Sequence, residues 1–216
     1  RQFADQDVHN FGDLVHLFRW TSSFELGDAL TLALGASVLL GPNASGTDGC
    51  TQIYGTDLRL KWRPALNDGG WPFVVWLSDF FLRNYRADRQ DFDPDETPAS
   101  GDEFTVASDT LADYGFYNQI LWGFYKGWVA GARYEFAAGS DDSVDPATGL
   151  DATARDPFRD ERTRVSALCE WRPTEFSRIR LQYNLDFAQH LFEEETGHSV
   201  WLGVEFFFGA HAAHTY

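Results

Sequence analysis

His211 and His214 stand three residues apart near the C-terminus. Two imidazoles at that spacing can share a zinc or other transition-metal ion, although a third ligand would be needed. Two histidines on a tail docked against the rest of the fold would read the same way. His190 and His198 flank Glu193, Glu194 and Glu195. That group could capture a divalent cation weakly, and a solvated acidic loop accounts for the same residues. Asp91, Asp93 and Asp95, with Glu96, alternate as in a calcium loop. The glycine at the sixth position and the glutamate at the twelfth are missing, so the EF-hand match fails. Asp141, Asp142, Asp145, Asp151, Asp156 and Asp160 add a further acidic stretch. Carboxylates gathered over an opening concentrate cations and repel anions, and acidic loops are also ordinary decoration for solubility.

No catalytic constellation accompanies these residues. A nucleophile elbow, HExxH, a P-loop and a Rossmann fingerprint are all missing from the sequence. Ser199 beside His198 is too common a pairing to indicate hydrolysis. Cys50 and Cys169 are far apart and lack metal-site spacing. The expectation is a protein that is not an enzyme and carries no cofactor, with a divalent cation at His211 and His214 as one candidate ligand.

Composition narrows what can position these groups. A net charge of −16 and a pI near 4.6 leave no basic stripe for phosphates, which argues against a nucleic-acid partner. Phe, Trp and Tyr make up 16% of the 216 residues, more than a core of that size requires. Yet mean hydropathy is negative, and no run approaches the roughly 18 apolar residues of a membrane helix. A membrane barrel reconciles the two, because only every second strand residue faces lipid.

Alternation is the strongest signal. Across 178–187, Ile179, Leu181, Tyr183, Leu185 and Phe187 share one face, while Arg178, Arg180, Gln182, Asn184 and Asp186 share the other. Residues 199–208, 164–172, 128–136, 54–62 and 30–40 repeat the pattern, and 15–24, 73–85 and 114–125 carry rougher versions. That makes about nine strands, each near the 9 to 11 residues of a tilted membrane strand. Connections alternate between short (25–28, 65–70, 125–127, 173–177) and long (41–50, 87–113, 139–161, 188–198). Outer-membrane barrels have short periplasmic turns and long external loops. The same rule puts the C-terminus in the periplasm and starts the first strand outside. An odd number of strands is then needed upstream, and residues 1–10 are too short and polar to supply one. The expected fold is all-β: an antiparallel transmembrane up-and-down β-barrel spanning 1–216 as one domain. It would be the C-terminal part of a larger barrel, or one completed by another chain.

Period alone does not say which face is outside, since a lipocalin-like barrel points its apolar face inward. Three features favour the apolar face outward. Trp20, Trp62, Trp71, Trp128, Trp171 and Trp201 fall near strand ends, as interfacial girdles do. The polar faces are densely ionic in both signs: Arg19, Asp57, Arg59, Lys61, Asp79, Arg83, Arg133, Glu135, Glu170, Arg178, Arg180, Asp186 and Glu205 are the expected lumen-lining residues. The long loops hold most of the acid, with Asp91, Asp93, Asp95, Glu193, Glu194 and Glu195 external. In a wide barrel the opposed charges line an aqueous channel; in a narrow one they zip into ladders that block it.

The string Glu170-Trp171-Arg172-Pro173-Thr174-Glu175-Phe176-Ser177-Arg178, followed by Arg180-Leu181-Gln182-Tyr183-Asn184, carries a resemblance. So do the ending Gly209-Ala210-His211-Ala212-Ala213-His214-Thr215-Tyr216, Tyr54-Gly55-Thr56-Asp57-Leu58 and Lys61-Trp62-Arg63-Pro64. Together they resemble an uncharacterised family of Gram-negative outer-membrane β-barrel proteins, some loosely labelled zinc-regulated outer-membrane receptors. The resemblance implies location and architecture; no plug domain or energy-coupling box is present in these residues. The expected function is a porin-like channel or passive transporter for cations or metal-linked solutes, with a closed scaffolding barrel as the alternative. The expected partners are outer-membrane lipid, lipopolysaccharide and any chain that completes the barrel.

Overall fold

The computed structural model describes residues 8–92, 104–139, 159–188 and 196–208. The alternating segments, rich in β-branched and aromatic side chains, form strands as their period requires. In chain order these are β1 (His16–Glu25), β2 (Leu30–Pro42), β3 (Cys50–Trp62), β4 (Phe73–Ala87), β5 (Gln90–Phe92), β6 (Phe104–Val106), β7 (Asp109–Tyr125), β8 (Trp128–Gly139), β9 (Arg162–Thr174), β10 (Ser177–Ala188) and β11 (Thr196–Phe206). All except β5 and β6 join one nine-stranded antiparallel sheet whose spatial order follows the sequence. The expected strands are therefore present, several of them longer than expected: β3 begins at Cys50 and β7 at Asp109. The β5–β6 hairpin inside the long connection has no alternating pattern to announce it.

Turn chemistry sets one end of the sheet. Lys126-Gly127 joins β7 to β8, and Gly127 has φ +80, where a Cβ would meet the Arg172 carbonyl oxygen at 2.9 Å. Between β9 and β10 the Thr174 and Ser177 hydroxyls lie 2.7 Å apart across the turn. The connections 26–29 and 63–72 lie at this same turn end; β2, β4, β8 and β10 finish, and β3, β7, β9 and β11 start, at the opposite, loop end. β1 and β11 are edges that do not pair with each other, so among the described residues the sheet is open and does not close into a barrel.

Cross-strand register decides which side chains share a face. Residues directly opposite in an antiparallel pair point the same way, so one row can be followed across the sheet: Thr21, Gly35, Asp57, Asp79, Tyr117, Glu135, Arg164, Asp186 and Gly197. This ionic face is the enclosed one. Val75, Val129, Leu168, Thr51, Ser166, Glu170 and Asn184 are buried, and all belong to it. On the other face Trp20, Trp76, Ile120, Leu181, Val200 and Leu202 are exposed. The sheet thus has its polar side in and its apolar side out.

The aromatic girdle needs correction. Register sets Trp201 opposite Gln182 on the ionic face, because parity along β11 fixes its side whatever its chemistry. Trp20 sits mid-strand in β1, opposite Ala36. Trp62, Trp122, Trp128 and Trp171 do gather on the outer face at the turn end, the last two with ring centroids 6.0 Å apart. Trp71 lies in the adjoining 63–72 connection.

Candidate functional site

The candidate site is the enclosed face itself. Each expected lumen residue, from Arg19 on β1 to Glu205 on β11, lies on it by register. Its ion pairs run along the wall between neighbouring strands. Arg83 opposes Asp113, Arg164 opposes Asp186 at 2.5 Å, and Arg178 opposes Glu205. Arg133 pairs with Glu135 on its own strand and lies over the Tyr117 ring, 4.6 Å from its centroid. The Arg19–Asp57 pair, at 2.7 Å, crosses β2 where Gly35 leaves room; a Cβ there would lie 2.3 Å from an Asp57 carboxylate oxygen. Asp57 and Asp79 are directly opposed.

One carboxylate organises the turn end. Glu170 is only 2% exposed and accepts from Arg172 at 2.5 Å and Arg180 at 3.0 Å, with Arg178 at 3.6 Å. A buried carboxylate needs such company, since an unpaired charge in a low-dielectric site is expensive. Beside it, Ser166 donates to Asn184 at 2.7 Å, and Asn184 donates to Ser199 at 2.9 Å, a polar chain across β9, β10 and β11. Sequence reasoning named Glu170 but missed Asp113, Arg159 and Arg164. Asp113 lies one residue before the expected start of its strand, and following the parity of β7 outward would have found it. Arg159 pairs with Asp113 from outside any strand, which no period reveals.

At the loop end the 43–49 connection is latched to the end of β4 and to Asp88 just after it. Asn43 donates to the Arg86 carbonyl at 3.0 Å, Asp88 N–H donates to Ser45 Oγ at 2.9 Å, and Asp48 N–H donates to the Asp88 carboxylate at 3.1 Å. The Asp48 and Arg89 amides hold the Asp88 carboxyl below its ordinary range. A depressed folded pKa contributes stability above the unfolded value that is lost as pH falls through the folded one. The protection factor of the Asp48 amide should therefore drop as pH falls below the ordinary carboxylate value of about 4. Asp88→Ala should abolish that dependence in a hydrogen-exchange measurement.

Of the expected external acids, Asp91 is engaged by its own hairpin, accepting from Thr105 at 2.5 Å and Arg89 at 3.0 Å. Asp93, Asp95, Glu193, Glu194, Glu195, His211 and His214 lie outside the described residues. Among the described residues, no three His, Cys, Asp or Glu side chains are grouped to hold a metal. Cys50 and Cys169 are both free.

Comparison with known proteins adds one distant relative. The chain is 25% identical over 169 residues to an uncharacterized protein of Aquifex aeolicus, a match covering 78% of this chain and 31% of that protein. The chain therefore spans about a third of that relative's length. No family model matches the chain, and no solved structure does.

Proposed function

We propose that this chain forms part of the wall of a β-barrel in the bacterial outer membrane, a porin-like channel or passive transporter with a carboxylate-rich outer mouth. The observation that carries this is the inverted sheet: ionic side chains on the enclosed face, apolar and aromatic ones uncovered on the other. A soluble protein rarely leaves so broad an apolar surface in water. Lipid is the solvent that suits it. Tryptophans at the turn end of the outer face fit a bilayer interface, and the resemblance to outer-membrane barrel proteins points the same way. In this arrangement the turn end is periplasmic and the loop end external. The acidic loops there draw in cations or metal-linked solutes, and bind divalent ions that bridge lipopolysaccharide phosphates.

β1 and β11 run in the same direction, so joining them directly would make a parallel seam. Antiparallel closure takes an odd number of further strands, from this polypeptide or another; a protein as long as the Aquifex relative has room for them. Ion pairs that run along the wall leave the lumen free, which favours passage. The same continuous ladder also suits a sealed scaffold for a partner. Single-channel recording of the full-length protein in a planar bilayer separates the two. Stable conductance steps with a preference for cations are expected, and no conductance from folded protein would favour the scaffold.

A further inference from the structure

The enclosed face carries one basic group that the wall does not neutralise. Arg59 and Lys61 project from β3, and Arg63 follows directly after it. Elsewhere on this face Arg19, Arg83, Arg164 and Arg180 each reach a carboxylate. Among the described residues, Arg59, Lys61 and Arg63 have none within 4.0 Å. Register supplies the reason. Arg59 is flanked by Ala33 and Leu77, and Lys61 by Thr31 and Val75, so each lies between uncharged neighbours on both sides.

These three cations line one cavity of about 90 Å³ with Ser23, Thr31 and Asp28. Three positive charges against one acid leave the cavity net positive, and like charges gathered around one cavity repel unless an anion joins them. We infer that the cavity is a binding site for a small oxyanion, a phosphate or a carboxylate. The guanidinium groups match such ligands in geometry, and the Ser23 and Thr31 hydroxyls add neutral donors. One water needs about 10–15 Å³ on the same scale, so the space suits a small oxyanion with a few waters and not a bulky solute. The site lies at the turn end of the sheet. It is a property of the sheet; only its use during passage rests on the channel proposal.

The test titrates the full-length protein, refolded in detergent micelles, with inorganic phosphate and separately with acetate, followed by calorimetry. Saturable binding is expected, weakening as ionic strength rises. The Arg59→Gln/Lys61→Gln double variant should lose phosphate affinity by about tenfold or more. Arg63→Gln lies beyond the strand ladder and should give a smaller loss, which keeps the test open if the double variant fails to fold. Lys126→Gln removes a turn-end cation paired with Asp68, outside the cavity, and should change nothing. Tighter binding of either anion supports the site and identifies its chemistry. No saturable binding of either, or equal binding by every variant, overturns it. Binding without conductance would remove the channel and leave the site, whereas conductance without binding would do the reverse.

Discussion

Glu170→Ala should destabilise the folded protein by about 3 kcal/mol, the low end for breaking a buried ion pair from one side. The carboxylate is buried and is shared by Arg172, Arg178 and Arg180. Removing it leaves three guanidinium groups facing one another, with Glu205 near enough to take Arg178. Those arginines remain partly open to water, which is why the low end applies. Each arginine removed singly leaves the carboxylate two other partners, so Arg172→Ala should cost about 1 kcal/mol or less. Urea unfolding of the full-length protein in micelles gives both values, and a double-mutant cycle with Arg180 isolates the shared part. A loss below about 1 kcal/mol for Glu170→Ala would mean that the cluster is decoration and not a fastening of β9 to β10.

The strands were legible because period 2 is a property of single segments. Leu181, Tyr183 and Leu185 against Arg180, Gln182 and Asn184 need no partner to be read. Register was not legible, since it belongs to pairs of segments. That Glu170 lies opposite Arg180, two residues from Arg172 on the same side, follows only once β9 and β10 are paired. The same holds for Arg59 and Lys61. In sequence they look like any other charges on a polar face, and only their uncharged cross-strand neighbours set them apart. Trp201 shows the opposite failure, where an aromatic was assigned by type although parity had already placed it with the ions. The β5–β6 hairpin is too short to carry a period, and Arg159 reaches its partner from a connection.

The orientation of the two faces is decided by adjacent residues in β10. Leu181 points outward and is 53% exposed, while Gln182 points to the enclosed face and donates to Asn184 at 2.7 Å. If the outer face lies in hydrocarbon, an arginine at Leu181 must be desolvated or must drag water and headgroups inward, at about 2–4 kcal/mol near the bilayer midplane. If that face lies in water, the same change is a surface substitution, worth about 0.5 kcal/mol either way. An arginine at Gln182 joins a wall already lined with charges, where substitutions tune selectivity more than stability. The measurement is reversible unfolding of Leu181→Arg and Gln182→Arg in phospholipid vesicles. The expected result is a loss of about 2–4 kcal/mol for Leu181→Arg and about 1 kcal/mol or less for Gln182→Arg. Near-neutral behaviour of Leu181→Arg, with the larger loss at Gln182, would show that the apolar face does not meet lipid, and the barrel proposal would fall with it.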